Sequence, residues 1–214
     1  MRDAFGLEIP ETLEEACDPS RAALLVYDMQ VGVLEQIGNR DEVIETVRRV
    51  VAAARGAGVR TLFFRHMSLP KNLAGVFQLR QAMAWQRVTR VDDVEPWFLR
   101  DSPGFPITPE LQPLPTEGVF DKLTMSAFEG TPLDIALRDC GVSVFVVVGV
   151  AMEIGIEPTV RHGADLGYIP VVVADACGAG DEEAARRALD TIQFAGDAFV
   201  TDADAICKIW QLAS

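Results

Sequence analysis

The sequence predicts an α/β fold built on a parallel sheet, and three observations predict it. Short apolar runs alternate with amphipathic stretches along most of the chain, the rhythm of strand–helix–strand units. Two of the runs, Ala22 to Tyr27 and Ser143 to Val150, are apolar at nearly every position, as strands covered on both faces must be. The breaks between elements fall on helix-capping residues or on glycine. At 214 residues the chain suits one large domain, 1–214.

The elements follow in order. Ala22 to Tyr27 is the first strand. Asp41 to Ala54 places Val43, Ile44, Val47, Val50 and Val51 at helical spacing, and Gly58 can end that helix before a strand at Val59 to Phe64. Val119 to Lys122 is a short third strand. Thr131-Pro132 opens a helix, because the Thr hydroxyl can cap free amides and Pro loses nothing at the first helical position. That helix runs to about Cys140 and stops at Gly141. After the fourth strand, Ser143 to Val150, a helix covers about Ile154 to Leu166, Gly167 ends it, and Ile169 to Asp175 is the fifth strand. Asp181 caps a further helix whose first turn carries Glu182 and Glu183, where the helix dipole favours anions. Ala198 to Val200 makes a sixth strand and Asp202 to Leu212 a last helix. The stretch Ser68 to Pro115 breaks the rhythm. It holds Trp85, Trp97 and seven of the twelve prolines, and is too long for an ordinary connection. A helical lid with an irregular return fits it, as does a solvated excursion.

Composition excludes several functions. The net charge of −13 is spread along the chain and repels nucleic-acid phosphates and anionic lipid. No apolar run approaches the roughly 18 residues of a membrane span. Met1 to Pro10 lacks the cationic start and apolar run of a secretory signal, so a cytoplasmic location is expected. The four cysteines, Cys17, Cys140, Cys177 and Cys207, are scattered without metal-ligand spacing and read as reduced thiols.

In a parallel sheet, functional side chains gather at the carboxyl ends of the strands. Those ends carry Asp28, then Arg65 and His66, then Lys122, then the turn Ala151 to Gly155, then Asp175. An aspartate closing an apolar strand is costly to bury alone, and Lys122 can supply its partner. A plain buried ion pair fits the same residues.

Three segments carry a resemblance. ALLVYDMQ, with Asp28 and Gln30, resembles the first motif of the isochorismatase-like hydrolases. DKLTMSAFEGTPLDIALRDCGV is similar to the second, with Lys122, Ser126, Phe128, Gly130, Thr131 and Leu133 in order. VVVGVAMEIGIEPTVRHGADLGYIPVVVADA is similar to the third, from Gly149 through Asp175. The resemblance implies a three-layer Rossmann-like fold, a central, mostly parallel six-stranded sheet flanked by helices. It also implies a homodimer or homotetramer, a non-proline cis peptide after Val150, and no cofactor. Most of that family use an Asp, Lys and Cys triad. Asp28 and Lys122 match the first two members, and Gly155 stands where the nucleophilic cysteine belongs. Of the cysteines present, only Cys177 lies on the correct side of the sheet. The true isochorismatases share this departure and cleave a vinyl ether without a protein nucleophile. The resemblance further implies substrate contacts at Gln30, Arg65, His66, Ala151, Glu153 and Ile154, with Gly155 turning free amides toward an anion. Metal-binding members use an Asp and two His near the end of the second strand; only His66 stands there, so no metal is expected.

Three functions stay open from the sequence. One is a cysteine-independent hydrolase cleaving a small anionic substrate, with isochorismate as template and Asp28 as general acid. Glu153, closer to the amidase branch, points to an amidohydrolase-like enzyme in which Asp28 activates water. The third is a small-molecule binder that has lost its nucleophile.

Overall fold

The computed structural model describes residues 1–213. A small hairpin, β1 (Arg2–Ala4) and β2 (Leu7–Ile9), precedes a one-turn helix α1 (Leu13–Ala16). The body then follows as β3 (Ala22–Tyr27), α2 (Val31–Leu34), α3 (Arg40–Gly56), β4 (Arg60–His66), α4 (Val76–Gln86), β5 (Gly118–Lys122) and α5 (Leu133–Asp139). It ends with β6 (Val144–Val150), α6 (Glu157–Asp165), β7 (Ile169–Gly178), α7 (Glu182–Ala195), β8 (Phe199–Thr201) and α8 (Ala203–Leu212). All six expected sheet strands are present.

The six-stranded sheet has the order β5-β4-β3-β6-β7-β8, every neighbouring pair parallel. Counted outward from β3, this is the doubly wound arrangement whose chain reverses direction between the first and fourth strands. That switch point lies between β3 and β6. Alternation along the strands sorts their side chains into two cores. Leu24, Val26, Phe63, Val146 and Val173 pack under α3 and α8; Leu25, Tyr27, Phe64, Phe145 and Val172 pack under α5, α6 and α7. Helix α3 turns Val43, Val47, Val50, Val51 and Ala54 inward, at the spacing of its sequence stripe. No helix among the described residues is long and apolar enough to cross a membrane.

Three departures from the sequence reading matter. Arg2 to Ile9 forms a hairpin whose turn, Phe5-Gly6, takes positive φ at both residues (54° and 78°). β7 does not end at Asp175 but runs to Gly178, after a register shift against β6 between Val147 and Gly149. The Asp175 carboxylate accepts from the Ala203 amide at 2.8 Å and so caps the start of α8, away from the strand-end cluster. The helix expected from Ile154 is a π-helical turn, Met152–Ile156, before α6 begins.

The 68–115 excursion is partly helical, with an irregular return. It holds a 3₁₀ turn (Lys71–Leu73), α4, a second 3₁₀ turn (Val91–Asp93) and a return path that buries Val94, Phe98, Phe105 and Leu111. The return is strapped to the segment after β3. The Val31 amide donates to Pro106 O, and Gly32 N to Gly104 O, each at 3.0 Å. A side chain on Gly32 would press the Gly104 backbone at 3.0 Å, so both positions need glycine's small size.

Candidate active site

The ends of β3, β4 and β5 converge with the turn after β6 on the α6 side of the sheet. Lys122 Nζ donates to Asp28 Oδ2 at 2.7 Å, and both residues are nearly closed from solvent, at 2% and 6% exposure. Asp28 takes φ +43°, a backbone conformation costly for a residue with a side chain; it turns the chain off the strand at the pair. Its Oδ1 is buried without a well-formed hydrogen bond. Burial raises the Asp28 carboxyl above its ordinary value, with the Lys122 charge and hydrogen bond opposing. Burial likewise lowers Lys122, with Asp28 opposing. Both shifts weaken the hold of charge on the pair, which makes proton transfer between them and a third group easier.

His66, paired in register with Lys122, sits beside this pair. Burial first, and the Lys122 charge second, push its imidazole down to about 3, so it is neutral at physiological pH. It lines a cavity of about 70 Å³ beneath α4, together with Trp85, Trp97, Phe98 and Leu123. Gln30 holds this corner in place. Its amide accepts from the His66 amide at 2.6 Å and donates to the carbonyls of His66 (3.1 Å) and Phe105 (2.8 Å). With three bonds to backbone and no exposure, the Gln30 side chain acts as a brace between β4 and the excursion.

The other expected contacts divide. Arg65 points to the opposite face of β4, bonded to Asp121 at 2.7 Å and stacked over Phe105 at 4.5 Å. Glu153 Oε1 accepts from the amides of Gly180 (2.8 Å) and Asp181 (2.9 Å), so its carboxylate ties the β6 turn to the start of α7. Ala151 is buried, and Ile154 is exposed. The Val150–Ala151 peptide is cis. The free amides expected at Gly155 are not there. The amides of Ile154, Gly155 and Ile156 all point to the single Ala151 carbonyl, at 3.3, 3.1 and 3.1 Å, because the π-helical turn closes back on that residue. Cys177 is no substitute nucleophile. Its thiol is raised by burial and points at the Val147 carbonyl, 3.8 Å away.

Sequence reasoning missed Tyr27. A Cβ on Gly155 would stand 2.1 Å from the Tyr27 hydroxyl oxygen and 2.4 Å from two of its ring carbons. The space opposite Gly155 is therefore filled by the phenol and is not open to a substrate. The Tyr27 hydroxyl donates to Met125 O, and Lys122 Nζ lies 4.1 Å above the ring centroid. The available signal was a bulky aromatic ending an aliphatic strand immediately before Asp28. Thr159 ties the same corner together, donating to Gly155 O at 2.7 Å and accepting from Ala127 N at 3.0 Å.

Residues 22–205 match the isochorismatase domain. A ureidoacrylate amidohydrolase of Serratia proteamaculans is 31% identical, covering 93% of this chain and 86% of its own length. Its counterpart from Methylobacterium radiotolerans is 32% identical over 88% and 80%. The crystal structure of a cysteine hydrolase from Pseudomonas syringae superposes with a TM-score of 0.80 at 24% identity, covering 92% of this chain and 95% of that one. The chain belongs to the isochorismatase family of hydrolases.

Proposed function

We propose that this hydrolase cleaves the C–N bond of a small, neutral amide of ureido type without a covalent intermediate, using Asp28 as the proton-transfer group. The observation that carries it is the buried Asp28–Lys122 pair at the switch point of the sheet, with no usable thiol beside it. Asp28 takes a proton from water as the oxygen adds to the carbonyl carbon. It then returns that proton to the departing nitrogen as the C–N bond breaks. A carboxyl raised by burial suits both steps, since general acid–base catalysis is most effective near the working pH and supplies about 10²–10⁴-fold. Lys122 keeps the carboxylate available as a base.

The ureido class is supported by the amidohydrolases among the relatives. A neutral substrate is supported by the cavity walls. The cavity is lined by aromatic and leucine side chains, by Lys71 already paired with Glu95 at 3.6 Å, and by a His66 held neutral, which leaves little to balance a dianion. A second reading, vinyl-ether cleavage of an isochorismate-type substrate, is favoured by the same raised Asp28, which keeps a proton to give at higher pH than an ordinary aspartate.

The test measures ammonia from a panel of neutral ureido and primary amides, and pyruvate from isochorismate. It uses wild type, Asp28→Asn and iodoacetamide-treated enzyme. Ammonia release abolished in Asp28→Asn and unchanged by alkylation is the expected result. Pyruvate without ammonia moves the assignment to the second reading. Loss on alkylation ends the nucleophile-free account. Ligand-dependent melting with no turnover of any substrate marks a binder.

A further inference from the structure

We propose that Tyr27 is a positioning residue of this site, its ring face holding the Lys122 ammonium on Asp28, and that Gly155 lacks a side chain because this ring needs the space. The inference rests on the role given above to the Asp28–Lys122 pair. A buried ammonium has three N–H bonds to satisfy. Lys122 meets Asp28 Oδ2 at 2.7 Å, the Thr124 carbonyl at 3.3 Å and the Tyr27 ring at 4.1 Å from its centroid. The aromatic face is the third support, and such contacts strengthen when water is excluded.

The ring is held from several sides. Phe64 stacks on it at 6.4 Å between centroids, and the Tyr27 hydroxyl donates to Met125 O. The loop carrying Met125 is fixed in turn by Ser126 Oγ on His162 Nδ1 at 2.9 Å and by Ala127 N on Thr159. On the remaining side lies Gly155. The first atom of any side chain there would fall 2.1 Å from the phenol oxygen, far inside van der Waals contact. Tyr27 and Gly155 therefore form one size-matched unit, and the glycine is a requirement of the aromatic ring. The missing nucleophile is a consequence of that fit.

The chain has three lysines, Lys71, Lys122 and Lys208, and the first and third are exposed. Their side-chain NMR signals are separable without any substrate. In wild type and Tyr27→Phe, the Lys122 ε-methylene protons should lie upfield of the other two, shifted by the ring current. In Tyr27→Leu that shift should vanish, and the Lys122 titration midpoint should fall by about one pH unit as the ammonium loses its aromatic support. The titratable groups facing Lys122 are Asp28, His66 and Tyr27 itself, so the midpoint is followed also in His66→Gln, which removes the neighbouring imidazole and should leave the ring-current shift intact. Where a substrate is in hand, Tyr27→Leu should also raise the acidic limb of the kcat profile, while Tyr27→Phe should not. A residue that served only to fill space would lower thermal stability and leave both midpoints unmoved. Wild-type Lys122 protons without an upfield shift would overturn the proposal even if Tyr27→Leu fails to fold. None of the NMR outcomes depends on turnover, so failure of the amide assignment leaves this test standing.

Discussion

Two ion pairs sit one residue apart at the end of β5 and face opposite ways. Asp121 meets Arg65 at 2.7 Å on one face, and Lys122 meets Asp28 at the same 2.7 Å on the other. Distance does not separate them; surroundings do. The Asp121 side chain keeps 15% of its exposure and Arg65 27%, and Arg100, mostly in water, adds a second cation at 3.3 Å. The Lys122 side chain is fully covered and Asp28 keeps 8%. Water screens the first pair and leaves it a fastening between two strands and the excursion. Exclusion of water from the second moves both partners away from their ordinary pKa values and makes the pair chemically poised. An aspartate and a cation at salt-bridge distance do not identify an active site until burial is added.

Removing one partner from each pair breaks the comparison most directly. Lys122→Met leaves Asp28 buried without its cation and should cost about 3–5 kcal/mol in urea unfolding at neutral pH. Adding Asp28→Asn to it should recover most of the loss, since a neutral pair has no charge left uncompensated. A single-mutant cost below about 1 kcal/mol would place this pair in the same class as its neighbour.

The pH dependence sharpens the same point, and its sign is set by the raised carboxyl. Asp28 is raised in the folded state, so the unfolded chain loses this proton first as pH climbs. Its contribution to stability is complete below the ordinary value of 3.8 and is lost as pH rises through the folded midpoint. Wild-type stability relative to Asp28→Asn should therefore fall with rising pH, at up to about 1.4 kcal/mol per unit, and then level off. Urea melts of both proteins from pH 4 to 7 measure it, and a difference that grows with pH contradicts the burial argument.

The framework around the pair was legible because it rests on local pattern. The apolar runs of β3 and β6 name buried strands, and the residues that end β3 and β5 name Asp28 and Lys122. What escaped depended on contacts between distant segments. Asp175 reads as a strand end, yet the Ala203 amide takes its carboxylate and β7 continues through a stretch with little strand character. Gly155 reads as a turn offering free amides to an anion, yet those amides point to the Ala151 carbonyl and Tyr27 fills the space opposite. Glu153 reads as a substrate contact, yet its carboxylate already accepts two amides before α7. Periodicity tells which face a side chain takes; it does not tell which side chain meets it there.

A methyl group at Gly155 separates the two pairs more gently. Gly155→Ala drives a carbon into the Tyr27 ring and should cost about 1–3 kcal/mol as an overpacked site. The disturbance should reach Lys122 and leave Arg65–Asp121 alone. Gly38→Ala is the matched control: it is exposed with nothing within 4 Å of an added Cβ, and should stay within about 0.5 kcal/mol of wild type. Equal costs at the two glycines would remove the steric basis for pairing Tyr27 with Gly155.

The smallest effect is expected at the other face. Asp121→Asn removes the carboxylate from Arg65 and Arg100 but keeps both cations near water, so about 1 kcal/mol or less should be lost. That loss should shrink further at 1 M salt, where the screening length falls to about 3 Å. The stack of Arg65 over Phe105 survives the substitution and keeps the guanidinium in place. Stability measured at 0.05 M and 1 M salt in Asp121→Asn and Lys122→Met tests the contrast as one experiment. A buried pair is out of reach of mobile ions and its cost should hold steady, whereas a salt-insensitive cost at Asp121 would mean that water never screened that pair either.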